Sequence, residues 1–155
     1  MRRADREITD KHSIEEFIAK EKVLRIGFND CGEVYIVPVN YGYSSANGKN
    51  TFYFHGAMSG RKYELAKSIP SVGFEIDGEY LLIGADTGCG HSAKFRSIIG
   101  NGKLSIINNK DEMITALNCI MKQATGSCEW NYQSDVLEKT AVFRLEVEKM
   151  TCKAK

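Results

Sequence analysis

The sequence predicts a mainly β fold, antiparallel, with helices at its periphery, closing into a small barrel. Three observations predict it. Apolar and β-branched residues bunch into runs of strand length. Turn residues separate those runs by links too short for a parallel crossover. Only three segments carry helical spacing. Strands at this spacing close most economically into a barrel, which removes exposed edges. The chain has 155 residues, enough for a single domain spanning 1–155 and too few for two ordinary ones.

The elements follow in order. "SIEEFIAKEK" (13–22) reads as a short amphipathic helix. Ser13 and Glu16 form a capping box, and Ile14, Phe17 and Ile18 recur at helical spacing. "VLRIGFN" (23–29) and "GEVYIVPVNYGYS" (32–44) read as strands around a Cys31-Gly32 turn. "ANGKN" (46–50) holds Asn47-Gly48, a strong hairpin signal. The strand "TFYF" (51–54) follows, and a helix over about 59–68 stops before Pro70. "SVGFEIDG" (71–78), "EYLLIGADT" (79–87) and "KFRSIIGNGKLSIIN" (94–108) read as further strands. "KDEMITALNCIMKQAT" (110–125) is a long helix capped by Asn109, with Met113, Leu117, Ile120, Met121 and Ala124 on one face. "TAVFRLEVEKM" (140–150) alternates, as a half-buried last strand does.

Composition narrows the function. Hydrophobic residues make up 43% and charged residues 26%, with a net charge of +1. That balance gives no reason to expect nucleic acid or a membrane surface as partner. No apolar run reaches the roughly 18–20 residues of a membrane span. The charged start "MRRADREITD" lacks the apolar centre of a signal peptide, so the expected location is the cytoplasm. Cys31, Cys89, Cys119, Cys128 and Cys152 form no CxxC pair and read as reduced thiols. Cys89 and His91 have no second pair nearby, so no metal site is expected.

The stretch "NTFYFHGAMSGRK" (50–62) carries the chemistry. A strand ends at His55-Gly56, and a helix begins with Arg61 and Lys62 in its first turn. A helix start presents unpaired N–H groups and partial positive charge, which suit an anion. Gly56 and Gly60 admit a ligand close to the backbone. Arg61 can grip a phosphate bidentately, Lys62 adds a point charge and His55 a donor. The competing reading is a solvated first turn with a surface Arg-Lys pair. GxGxxG and P-loop patterns are absent. Pro38 in "VPVNYGY" (37–43) interrupts a ladder and frees backbone groups for a flat ring. Glycines 100 and 102 in "KFRSIIGNGK" (94–103) mark a bulge or a close approach. Trp130 and Tyr132 are candidates for a pocket wall or for an aromatic pair in the core or at a dimer interface.

The order of these blocks resembles the FMN-binding split-barrel superfamily, the pyridoxamine 5′-phosphate oxidase-like proteins, and within it the nitroimidazole-resistance branch. "REITD" (6–10), "EEFIAKEKVLRIGFND" (15–30), "VYIVPVNYGY" (34–43), "FYFHGAMSGRK" (52–62), "FRSIIGNGK" (95–103) and "FRLEVEKMTCK" (143–153) carry the resemblance over nearly the whole chain. It implies a six-stranded antiparallel Greek-key split barrel and a homodimer with flavin at the subunit interface. The implied cofactor is FMN, with FAD possible, and the substrate a small molecule such as a nitroimidazole. His55, Gly56, Arg61 and Lys62 are implied around the phosphate, with His55 also the catalytic candidate. Pro38, Val39, Asn40 and Tyr41 are implied along the ring, and Arg96, Ser97 and Ile98 on a second cofactor strand. Two departures stand out. Cys152-Lys153 replaces the family's usual Gly-Lys, and "GADTGCGHSAK" (84–94) is unlike its pattern. A non-catalytic protein that stores or senses flavin, or binds haem, is the alternative.

Overall fold

The structure, a computed structural model, describes residues 3–46 and 48–155. Eight strands and four helices run in the order β1 (Glu7–Ile8), α1 (Lys11–Lys20), β2 (Leu24–Asp30), β3 (Glu33–Val39), β4 (Gly42–Ala46), β5 (Lys49–Ala57), α2 (Arg61–Ser68), β6 (Ser71–Ile83), β7 (Ser92–Ile107), α3 (Lys110–Thr125), α4 (Ser134–Leu137) and β8 (Thr140–Ala154). The strands form one sheet in the order β3-β2-β6-β7-β8-β5-β4, and β1 pairs with β8. Every pairing is antiparallel.

The ends of that order reveal the split. β3 and β4 lie at opposite ends of the hydrogen-bonded path, yet only Asn40 and Tyr41 join them in sequence. So short a link spans the gap only because the sheet rolls up and brings its two edges together. The barrel is closed by covalent connection there and open in its ladder.

The interior is apolar throughout, with no buried polar or charged residue among those described. Leu24, Ile26 and Phe28 of β2 alternate inward against Phe52, Phe54, Phe74 and Phe143. Phe17 and Ile18 of α1 plug one end of that core. α3 covers a second cluster through Ala116, Leu117 and Ile120 against Ile107 and Val142.

Several expectations are corrected in detail. The first helix begins at Lys11, and Asp10 caps it by accepting from the Ser13 N–H at 2.8 Å. An aspartate three residues upstream therefore takes the capping role expected of Ser13. Segment 32–44 breaks into β3 and β4 at the split. With the two-residue β1, this raises the strand count to eight. Segments 71–78 and 79–87 are one strand, β6, bulged where Glu79 takes φ 56°. The last strand continues to Ala154. Ala124 is exposed, and α3 turns Ala116 inward instead. Asn109 caps α3 as expected, accepting from the Glu112 N–H at 3.0 Å. Asn47 of the expected hairpin turn lies outside the described residues, while Gly48 beside it has φ 74°.

Candidate functional site

A cleft of about 410 Å³ opens at the split of the barrel, lined by Val23, Pro38, Val39, Asn40, His55 and Lys62. β3 delivers Pro38 and Val39, and the β3–β4 link delivers Asn40. Asn40 is fixed by its side-chain N–H donating to the Lys22 carbonyl at 3.0 Å. β5 delivers His55, and the first turn of α2 delivers Lys62.

Lys62 is the cation of this cleft. Its Nζ lies 5.5 Å from the centre of the Phe54 ring and 5.4 Å from that of Phe143, and 3.4 Å from the His55 carbonyl. No carboxylate pairs with it among the described residues. Loss of water around the ammonium pushes its pKa down. A desolvated cation over ring faces, with no counter-charge, is a group an anion would stabilise. Gly56 makes room for it. A side-chain carbon at Gly56 would lie 2.7 Å from the Lys62 Nζ and 3.1 Å from its Cε.

His55 shows its imidazole to solvent at the cleft mouth while its inner flank is desolvated. That desolvation, with the charge of Lys62 added, pushes its pKa below the ordinary histidine value. The ring is therefore a neutral donor–acceptor at neutral pH and gains a proton more readily once an anion offsets Lys62.

Arg61 points elsewhere. Its guanidinium reaches Asp30 at 2.7 Å and Glu33 at 3.1 Å, and lies 4.5 Å over the Tyr35 ring. It fastens α2 to the β2–β3 hairpin. The helix start itself is open: Gly60 caps it with φ 92° and no side chain fills the space.

The other expected residues do not meet in this chain's cleft. Tyr41 is buried, and its hydroxyl donates toward the Ile18 and Glu21 carbonyls at 2.7 and 3.0 Å, closing the end of α1. Ile98 is core. Arg96 donates to the Ser13 carbonyl at 3.2 Å, pairs with Glu79 at 3.2 Å and covers Phe17. Ser97 faces outward beside Ile99 and lines a separate groove between β7 and β8. Trp130 is exposed and donates to the Ser127 carbonyl, and Tyr132 packs on the second cluster. Sequence reasoning missed Val23, whose place beside Asn40 depends on the Lys22 contact and leaves no local signal. Among the described residues no three His, Cys, Asp or Glu side chains converge as a metal site. No helix among them is long and apolar enough to cross a membrane.

The fold has known counterparts. A family model described as pyridoxamine 5′-phosphate oxidase matches residues 10–154. The chain belongs to that family. Its structure superposes on a candidate 5-nitroimidazole antibiotic resistance protein from Bacteroides thetaiotaomicron with a TM-score of 0.82 at 28% identity, covering 96% of this chain and 86% of that one. A flavocytochrome from Azotobacter vinelandii gives 0.82 at 16% identity, covering 100% and 72%. An FAD- and haem-binding protein from Mycobacterium smegmatis gives 0.84 at 12%, covering 97% and 73%. No curated protein matches the chain. This pyridoxamine 5′-phosphate oxidase-like chain is a split barrel, similar over nearly its whole length to that nitroimidazole-resistance structure.

Proposed function

We propose that this chain is a flavin-binding protein, with FMN the preferred form, acting as a flavin-dependent reductase of small acceptors such as 5-nitroimidazoles. The observation that carries the reading is the unpaired, desolvated Lys62 beside His55 in a cleft at the split of the barrel. The residues fit the phosphate end of a flavin: a lone cation, a glycine that makes room for it, and an open helix start. Pro38, Val39 and Asn40, at the end of the edge strand β3, supply a wall for the ring. Flavin, when bound, supplies the redox chemistry. The chain's own part is to hold the phosphate at Lys62, to fix Asn40 through Lys22, and to present His55 as a proton donor at the mouth.

The cleft is open on one side, and Val34 and Ile36 of the neighbouring β3 are 73% and 61% exposed. A second copy of the chain would cover such surface, and a homodimer with flavin at the interface is part of this reading. The cytoplasm is the compartment this reading assigns. Structural likeness to flavocytochrome and haem-binding proteins supports a second reading, haem in place of flavin.

The test is the absorbance spectrum of purified protein, followed by calorimetric titration of the stripped protein with FMN, FAD and riboflavin. FMN bound more tightly than riboflavin is the expected result. A Soret band without flavin bands would replace flavin by haem. Equal affinity for FMN and riboflavin would remove the phosphate from Lys62.

A further inference from the structure

We propose that Asp30 and Glu33 of the β2–β3 hairpin hold Arg61 in reserve, and so set how tightly the start of α2 binds a phosphate. This rests on the flavin reading above and adds the residues that regulate its phosphate site. Arg61 is the first residue of α2, and helical side chains lean toward the helix N-terminus. The helix start is therefore within its reach. No side chain caps that start, and the N–H groups of Arg61, Lys62 and Tyr63 have no helical partner. The first helical bond runs from the Glu64 N–H to the Gly60 carbonyl at 3.1 Å. Yet the guanidinium is committed to the hairpin. Its Nε–H donates to Asp30 at 2.9 Å, and one terminal nitrogen lies 2.7 Å from Asp30 and 3.1 Å from Glu33.

The hairpin cannot follow the guanidinium. Its two-residue turn has Cys31 at φ 53° and Gly32 at φ 94°, and the Asn29 side chain accepts from the Gly32 N–H at 2.8 Å. Asp30 and Glu33 face each other across the strands at the base of that turn. Like charges directly opposite destabilise a strand pair, and Arg61 is the one cation that pairs with either among the described residues.

Arg61 thus has two destinations that exclude each other. A guanidinium grips an oxyanion best through two parallel bonds from one edge, and here the Nε edge is already engaged. A phosphate at the helix start meets unpaired N–H groups, the positive end of α2 and the Lys62 ammonium. It draws Arg61 across, and the hairpin loses the cation between its two carboxylates. The tie is light enough to break. The Arg61, Asp30 and Glu33 side chains are 40%, 28% and 70% exposed, and exposed pairs of this kind contribute little. The affinity for phosphate is therefore the attraction at the helix start less the attraction of the hairpin.

The test titrates stripped protein with FMN and with riboflavin by calorimetry. Wild type is compared with a variant carrying Asp30→Asn and Glu33→Gln, each with and without Arg61→Ala. With Arg61 present, the carboxylate variant should bind FMN about two- to thirtyfold more tightly, the worth of two exposed ion pairs. Riboflavin should bind both chains alike. In the Arg61→Ala background the gain should vanish. A second measurement needs no variant. In wild type, FMN should slow amide exchange over residues 61–63 and speed it over residues 29–34, where the hairpin gives up its cation. Riboflavin should leave the hairpin unchanged. Thermal melting checks the fold, and if the carboxylate variant fails to fold, the wild-type exchange pattern decides. Equal FMN affinity in wild type and the carboxylate variant overturns the proposal. The same gain without Arg61, or slower hairpin exchange with FMN, also overturns it. FMN bound without these differences removes the reserve role of the hairpin alone. No FMN bound by either chain overturns the flavin reading, and this proposal with it.

Discussion

A side-chain carbon at Gly56 would come within 2.7 Å of the Lys62 Nζ, so the smallest residue on β5 sets where the cleft's cation sits. The colliding atom is the far end of a flexible side chain, and it can swing away cheaply. Gly56→Ala should therefore melt within about 0.5 kcal/mol of wild type, the range of substitutions away from packing features. It should weaken FMN binding toward the level of Lys62→Ala. The latter should lose about 1.5–3 kcal/mol, the range for a hydrogen bond to a charged group. Arg61→Ala should lose less, because Asp30 and Glu33 already occupy its guanidinium. Titration of the three variants with FMN and riboflavin checks the order. A larger loss in Arg61→Ala than in Lys62→Ala would move the phosphate to the hairpin side of α2.

Gly42 behaves in the opposite way. A side-chain carbon there would lie 2.4 Å from the Cys119 and Ile120 backbone of α3. Helix backbone cannot swing aside as a lysine tip does. Gly42→Ala should therefore cost about 1–3 kcal/mol, the usual range for overpacking, through displacement of α3 from β4. Urea unfolding checks it. An unchanged midpoint would show that α3 docks more loosely than these distances state.

The contrast between these two glycines shows what was legible in the sequence. Short turns and alternation revealed the antiparallel sheet, and Asn109 marked the start of α3. His55, Gly56 and Lys62 could be placed together because one strand end and one helix start lie seven residues apart. Arg61 and Tyr41 could not be assigned from local pattern. Whether Arg61 meets a phosphate or Asp30 depends on a hairpin some thirty positions earlier in the chain. Tyr41 reads equally as ring contact or core, and only the arrival of α1 at its hydroxyl decides. β6 looked like two strands because Gly78 and Glu79 resemble a turn. Gly78 is instead the place where the Glu21 carboxylate presses on the strand, and Glu79 forms the bulge.

The end of α1 is held twice. Tyr41 donates toward the Ile18 and Glu21 carbonyls, and the Gln123 amide of α3 reaches the same two at 2.7 and 2.9 Å. Either partner alone leaves those carbonyls bonded. Tyr41→Phe and Gln123→Leu should each cost about 0.5–1.5 kcal/mol, the net worth of a hydrogen bond. Together they should cost more than the sum, since buried carbonyls then lose both donors. A double-mutant cycle by urea unfolding measures the coupling. Strict additivity would mean that water takes over at the α1 terminus.

His55 gives the pH dependence and the chemistry together. Its folded pKa lies below the unfolded value because of desolvation and Lys62. The unfolded chain therefore binds more protons in the window below about pH 6.5, and stability falls as pH drops through it. His55→Asn should flatten that part of the stability curve and leave the rest unchanged. A flavin phosphate near Lys62 would offset the cation, so binding of FMN should raise the His55 pKa as followed by NMR titration of the imidazole. Binding of riboflavin should not. If His55 delivers a proton to a nitro acceptor, the chemically reduced His55→Asn protein should retain flavin and reoxidise about 10²–10⁴-fold more slowly, the usual worth of a placed acid. Stopped-flow reoxidation by a nitroimidazole at saturating flavin reads this directly. A variant as fast as wild type would leave His55 as a binding group only. If neither protein reacts, the acceptor is not a nitro compound, and storage or sensing of flavin becomes the better account of the same cleft.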